Sequence, residues 1–371
     1  MKQFSLEPAI TQLDTVKEFC TQFSIGKGDL LFVSNGTYER YFKGLTNGAI
    51  IVNPRKYGTG EPTDLMVEGI CEEIQGIVYD RVIAVGGGTI LDVAKLFSLK
   101  QVSPVDELYA GKIELVREKK LVLVPTTCGT GSEVTNIAIL ELTKKNTKMG
   151  LAVKQLFADD AVLIPELLEG LPFRFFATSS IDALIHSIES FTSPKASPFT
   201  EMFSRKAMRM ILETYQLIAK DGEEARMSRL QEMLMASTFA GIAFGNAGCG
   251  AVHAMSYPLG AGYHVPHGEA NYAMFTGVYR TYQEMEPNGK IKSLNAELAD
   301  ILGCSPEMVY EEIEALLDHI LPKKALHEYG MKQEEIDSFA ASVFENQQRL
   351  LTNNYVPFTQ ERIKTIYQQL F

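Results

Sequence analysis

The chain has no tryptophan, and only six of its 371 residues are histidine and 14 are methionine. Its five cysteines, Cys20, Cys71, Cys128, Cys249 and Cys304, are scattered and odd in number, and no two form a CxxC pair. That pattern offers no disulfide framework and fits a reducing, cytoplasmic location. No run of about 18 apolar residues occurs, which excludes a helical membrane span. The stretch from Met1 to Phe19 carries polar and acidic residues where a signal peptide needs an apolar core. Cations are outnumbered, 35 Lys and Arg against 46 Asp and Glu, for a formal net charge of -11. A surface that acidic repels phosphate backbones and argues against nucleic-acid partners. What is present is an ordinary globular mixture, 46% hydrophobic and 22% charged. Its length suggests two domains.

The order of the apolar segments separates two halves. In the first, short branched runs at 30–34, 49–53, 81–85 and 121–125 alternate with helically spaced segments at 64–77 and 89–100. Strands alternating with helices imply a mostly parallel sheet. Beyond about residue 165 strand signals stop, and periodic segments at 176–192, 198–220, 224–246, 251–257, 269–283, 290–302, 306–319, 333–349 and 359–370 predict helices. Prolines punctuate them, and Pro258 is expected to end the 251–257 helix. The expected organisation is an α/β domain over 1–167 and an all-helical domain over 168–371, with the site in the cleft between them.

Two glycine-bearing loops each follow a strand. Gly86-Gly87-Gly88-Thr89 comes directly after the 81–85 run and opens a helix. Glycines there admit a diphosphate close to the backbone, and the helix N-terminus favours its charge. Thr89 can cap the helix or bond a phosphate oxygen. The run lacks the GxGxxG spacing of a dinucleotide fingerprint, and taken alone it reads more often as a tight turn than as a phosphate loop. The second loop, Thr126-Thr127-Cys128-Gly129-Thr130-Gly131-Ser132, brings four hydroxyls after the 121–125 run. Both loops fall where parallel sheets place ligands.

The histidines supply a second signal. Asp182 and His186 are spaced i, i+4 on one helical face. His253, His264 and His267 lie within 15 residues of one another in an otherwise histidine-poor chain. An Asp and three His offer hard and borderline donors suited to Fe(II) or Zn(II). His264 is a substitute ligand on this reading. Cys249 lies four residues before His253 and could supply a thiolate, but its neighbours Gly248 and Gly250 favour a close-packing role. His319 and His327 are expected at the surface.

These motifs together resemble the iron-containing, or group III, alcohol dehydrogenase family. The segments are GGGTILDVAK (86–95), PTTCGTGSEVTN (125–136), IDALIHSIES (181–190), and VHAMSYPLG through VPHGEAN (252–271), in family order and spacing. Within the family the closer resemblance is to members acting on 4-hydroxybutyrate, carried by 252–272, PNGKIK (287–292) and QQRLLTNNYVPF (347–358). The resemblance implies the architecture shared with dehydroquinate-synthase-like proteins, an α/β dinucleotide domain before a helical metal domain. It implies one divalent metal, Fe2+ or Zn2+, on Asp182, His186, His253 and His267. It implies NAD, with NADP as the alternative, on Asn35, Gly86, Gly87, Gly88, Thr89, Asp92, Thr126, Thr127, Thr130, Ser132 and Lys148. Asn136 and Phe244 match positions lining the nicotinamide and substrate pocket, and a homodimer or larger homo-oligomer is expected.

Three departures stand out. Tyr257 stands where many members have a His credited with proton exchange. Val33-Ser34-Asn35-Gly36 lacks the Asp that holds the adenosine ribose, and the NPR segment near the C-terminus reads Asn354-Tyr355-Val356. The expected reaction interconverts 4-hydroxybutyrate and succinic semialdehyde, with hydride leaving a metal-bound alkoxide. Tyr257 is expected in the pocket but not as an essential base, so His264 or water would pass the proton unless the phenol is strongly perturbed, and Arg349 would serve the substrate carboxylate unless it pairs with an acidic helix such as 335–345. The alternatives are another short-chain alcohol or diol, a dehydroquinate-synthase-like lyase, or a non-enzymatic NAD or metal sensor.

Overall fold

The computed structural model describes residues 4–145 and 147–371. They form two compact units, Leu6–Leu171 and Pro172–Phe371, with Phe4 and Ser5 belonging to the second.

The first unit is built on a six-stranded parallel sheet. Its strands are β1 (Ala9–Gln12), β2 (Asp29–Val33), β3 (Ile50–Val52), β4 (Arg81–Gly86), β5 (Lys120–Pro125) and β8 (Asp160–Leu163). Their spatial order is β1-β8-β5-β4-β2-β3, and every neighbouring pair is parallel. Leu30 to Val33, Val82 to Val85 and Leu121 to Val124 are all buried. This is why the central strands read as unbroken apolar runs rather than alternations. The chain passes from β2 to β3 on one side, then returns across β2 to β4. The order therefore reverses between β2 and β4, the point at which parallel sheets open a ligand crevice at their C-terminal ends.

Four strands escaped the reading of the sequence, β1 and β8 of the parallel sheet and two more outside it. β6 (Ile137–Leu142) and β7 (Thr147–Ala152) form a separate antiparallel pair. In β6 only alternate residues are fully buried, yet most of the partly exposed ones are also apolar, so the sequence shows no alternation. Edge strand β1 is mostly exposed and lacks an apolar run.

The second unit is helical, as expected. Its central helix, Phe173–Thr192, is buried at nearly every position from Phe176 onward. It packs against Pro198–Asp221, Leu230–Ala247 and His267–Met285. Ser197 and Thr200 form a capping box that starts the second of these four helices, with Pro198 in its first turn.

Three expected helices need correction, the first being 224–246, whose opening Glu223–Arg229 is a 3-10 segment before the α-helix Leu230–Ala247. The helix begun at Ala251 does not stop at Pro258 but runs to Tyr263 with the proline inside it. A proline there costs one backbone hydrogen bond and crowds the preceding turn. The carbonyls of that turn gain other donors: Tyr367 Oη reaches Met255 O at 2.6 Å and Ser256 Oγ reaches His253 O at 2.9 Å. The expected 333–349 helix is interrupted at Gln347, giving Ile336–Asn346 and a short Gln348–Leu351 turn. Among the described residues no helix is long and apolar enough to cross a membrane.

Candidate metal and nucleotide sites

The histidine cluster lies wholly within the helical unit. The central helix presents Asp182 and His186, Ala251–Tyr263 presents His253, and His267–Met285 presents His267 at its first turn. Gly268 permits the close crossing, because a Cβ there would strike the Thr178 carbonyl and lie 3.2 Å from Asp182 Cβ. Asp182 Oδ1 is 3.6 Å from His253 Nε2, 3.8 Å from His267 Nε2 and 3.9 Å from His186 Nε2. Three ring nitrogens therefore face one carboxylate oxygen. Donors bound to one ion at roughly 2.0–2.2 Å lie roughly 3–3.5 Å apart, so a divalent cation fits after shifts of a few tenths of an ångström.

His253 Nε2 is buried and has no hydrogen-bond partner, since 3.6 Å is too long for one. A buried donor or acceptor left unsatisfied is costly, and a cation would satisfy it. The other face of the ring is fixed. Glu189 Oε2 lies 2.5 Å from His253 Nδ1, and Glu189 Oε1 accepts from Val252 N at 2.8 Å. A proton on Nδ1 directs the Nε2 lone pair toward Asp182, the carboxylate–histidine arrangement common to metal centres. Asn271 Nδ2 donates to Asp182 Oδ1 at 2.8 Å and holds that carboxylate in turn.

The electrostatics agree with a cation site. Burial alone would raise the Asp182 carboxyl, but His186, His267 and His253 hold it well below the ordinary carboxylate range. Burial likewise opposes charge on His253, yet Cys249, Glu189 and Asp182 outweigh it and lift the imidazole well above its usual value. A field that favours a proton here favours a divalent cation.

Around the cluster, Phe244 stacks on His186 with ring centroids 4.1 Å apart, and the His186 and His253 rings stack at 4.7 Å. Tyr257 lies 6.1 Å from His267, centroid to centroid. His264 is exposed and ends its helix in a left-handed conformation, outside the cation-capable groups formed by the described residues. Arg349 is exposed and has no ion pair among the described residues, so the expected alternative of pairing with the 335–345 helix is absent there. His319 and His327 are exposed as anticipated.

Within the α/β unit, Val33, Val85 and Val124 stand in register, so the segments that follow them emerge side by side. These are Ser34-Asn35, with Asn35 exposed, the Gly86–Gly88 turn and the Thr126 loop. The glycines fit the two loops together. A Cβ at Gly88 would come within 2.8 Å of Thr130 Cγ2, and one at Gly86 within 2.6 Å of Ile90 Cβ. Thr126 N donates to Gly86 O at 3.0 Å. Thr127 and Thr130 remain partly exposed beside the opening of helix Gly88–Leu96.

Thr89 does not cap the helix, since Gly87 occupies the cap position; its Oγ1 donates to Gly60 O at 2.8 Å. Lys148 Nζ is 3.4 Å from Glu61 Oε1, next to that glycine in sequence. Asn136 is partly exposed, and its carbonyl accepts from Val153 N.

Asp92 and Ser132 are committed to a residue the sequence reading passed over. Lys95 is fully buried and its Nζ reaches Ser132 Oγ and Ile137 O at 2.7 Å each, with Thr135 Oγ1 and Asp92 Oδ1 at 3.3 Å. Ser132 Oγ donates to Asp92 Oδ1 at 2.5 Å, and Ile139 N donates to Asp92 Oδ2 at 3.0 Å. The network ties the glycine-turn helix to the hydroxyl loop and to β6.

Comparison with known proteins accords with this geometry. The family described as iron-containing alcohol dehydrogenase matches residues 11–165, and its C-terminal part, the Fe-containing alcohol dehydrogenase family, matches 176–371. The chain belongs to the iron-containing alcohol dehydrogenase family and is an oxidoreductase of that family. It is 50% identical over 371 residues, all of both chains, to a 4-hydroxybutyrate dehydrogenase of Clostridium kluyveri. It is 33% identical over 310 residues to long-chain-alcohol dehydrogenase 1 of Geobacillus thermodenitrificans, covering 79% of this chain and 75% of the relative. In fold it is similar to a sulfoacetaldehyde reductase from Bifidobacterium kashiwanohense solved in complex with NAD+. That likeness has a TM-score of 0.86 at 21% identity and covers 100% of this chain and 98% of the other.

Proposed function

We propose that the protein is a metal-dependent, NAD-linked dehydrogenase that interconverts 4-hydroxybutyrate and succinic semialdehyde. The reading takes it as a cytoplasmic homo-oligomer acting on a small molecule. The observation that carries the chemistry is the convergence of three imidazole nitrogens on Asp182 Oδ1, one of them buried without a hydrogen bond. The substrate is supported by full-length identity of 50% to a relative of that activity. When bound, a divalent ion supplies polarisation of the alcohol or carbonyl oxygen, and NAD supplies the hydride acceptor.

Asp182, His186, His253 and His267 would hold the ion, and their donor set suits Fe2+ or Zn2+. Glu189 keeps His253 Nδ1 protonated and Nε2 a donor to metal. Phe244 covers one face of His186 and keeps water from it. Tyr257, beside His267, forms part of the pocket wall. The Gly86–Gly88 turn, with the N-terminus of its helix and the partly exposed Thr127 and Thr130, would bind the diphosphate. Asn35, exposed at the end of β2, would meet the adenosine ribose. NAD is favoured over NADP by Asn35, which can bond a ribose hydroxyl; of the nearby cations Lys43 pairs with Glu39 at 2.7 Å and Lys56 with Glu73 at 3.3 Å, which leaves Arg40 and Arg55 as the groups that would take a 2′-phosphate.

Arg349 is the proposed carboxylate anchor. Its lack of an ionic partner leaves a planar fork for two parallel hydrogen bonds. Arg349→Met should raise KM for 4-hydroxybutyrate tenfold or more, the equivalent of about 1.5–3 kcal/mol, and leave 1-butanol nearly unchanged. Equal effects on both substrates would assign Arg349 a structural role, and a wild type indifferent to the carboxylate would refute the proposed substrate.

A further inference from the structure

Cys249 is not a spectator of the histidine cluster. It is buried at the start of the segment carrying His253, where Gly248 and Gly250 do serve close packing: a Cβ on Gly248 would strike Asn353, and one on Gly250 would lie 3.0 Å from Asn354 Oδ1. That tight backbone turns the thiol toward the rings. One ligand atom from each of His186, Cys249 and His253 lies within 4.8 Å of the others, and all three residues are buried. Asp182, His253 and His267 form the second such group among the described residues. The two groups share His253, whose Nε2 has no hydrogen-bond partner.

We propose that this centre carries two overlapping ligand sets, and that Cys249 with His186 and His253 binds thiophilic divalent ions. The inference rests on the metal-site reading above and extends it. A hard set of carboxylate and imidazoles suits Fe2+, whereas a thiolate with two imidazoles favours Zn2+, Co2+ or Cd2+. On binding, the Sγ–H proton leaves to solvent as the sulfur–metal bond forms, with no change of oxidation state. Burial of Cys249, with 7% of the residue exposed, limits the approach of bulky reagents to the sulfur. The identity of the bound ion would then decide which set is engaged. The chain would consequently differ in metal preference from a protein with an aliphatic side chain at this position.

The test is spectroscopic and independent of turnover. Full-length protein is stripped with chelator and titrated with Co2+ while absorption is recorded. The wild type should show visible d–d bands together with a near-ultraviolet sulfur-to-cobalt charge-transfer band of one-site stoichiometry. Cys249→Ala should lose the charge-transfer band, and Cys128→Ala, in a different unit, should keep it. The d–d bands without the charge-transfer band in wild type would overturn the role of Cys249 while leaving the histidine site standing. Absence of all bands would overturn both. Because the wild-type spectrum alone decides, poor folding of the Cys249 variant does not protect the proposal.

Discussion

Replacing Glu189 with Gln separates metal positioning from mere packing. The substitution keeps size and shape but removes one of two acceptors. In the native site Oε2 takes the His253 Nδ1 proton and Oε1 takes the Val252 N–H, at 2.5 and 2.8 Å. A glutamine has one acceptor oxygen and one donor NH2. If its oxygen faces His253, its NH2 confronts the Val252 N–H and a buried backbone bond is lost, worth about 1–3 kcal/mol. If its oxygen faces Val252, the NH2 donates to Nδ1, and His253 must carry its proton on Nε2. That tautomer cannot bind metal. Either arrangement weakens the centre, and loss of such a partner typically lowers metal affinity by about 10–100-fold. Each factor of ten corresponds to about 1.4 kcal/mol. The assay is competition for Zn2+ between protein and a calibrated chelator, with circular dichroism to establish that the helices persist. An affinity unchanged within about twofold would refute the assignment of Glu189 and weaken that of His253.

Two further perturbations probe the neighbouring groups. Tyr257→Phe should lower kcat by less than roughly tenfold if the phenol only walls the pocket, against the ~10²–10⁴ expected of a general acid or base; a larger loss would make Tyr257 the proton path. Lys95→Met should destabilise the α/β unit by about 2–4 kcal/mol, because the partly buried Asp92 and the buried Ser132 and Thr135 hydroxyls lose their cation. In a denaturant titration, a change below about 1 kcal/mol would show that Lys95 is dispensable.

The first half of the fold was legible because its central strands are buried on both faces and end in glycine or hydroxyl loops. β6 and β7 were not, since apolar residues occupy both faces of β6 and mask its period of two. The site shows a similar division. The i, i+4 spacing of Asp182 and His186 was visible, but the same periodicity carries on to Glu189, three residues beyond His186, and it was not followed that far. Asn271 follows His267 at i+4 in the same way, and its amide reaches Asp182. Lys95 lay inside a recognised motif, yet nothing local reveals that it is buried. Its acceptors at Ser132, Thr135 and Ile137 come from distant sequence. Pro258 misled because a proline usually ends a helix, and the contact of Tyr367 with the neighbouring Met255 carbonyl comes from a remote part of the chain.

The central claim is that the Asp182 and histidine cluster makes this chain a metal-dependent 4-hydroxybutyrate dehydrogenase. The most direct measurement is NADH formation from 4-hydroxybutyrate by chelator-treated protein before and after addition of one equivalent of Fe2+ or Zn2+, with NADP and 1-butanol in parallel. The account predicts negligible turnover before metal, turnover restored by one equivalent, and kcat/KM higher with NAD than NADP and with the hydroxy acid than the plain alcohol. Full activity in the metal-stripped protein, or no activity on 4-hydroxybutyrate with metal bound, would contradict it.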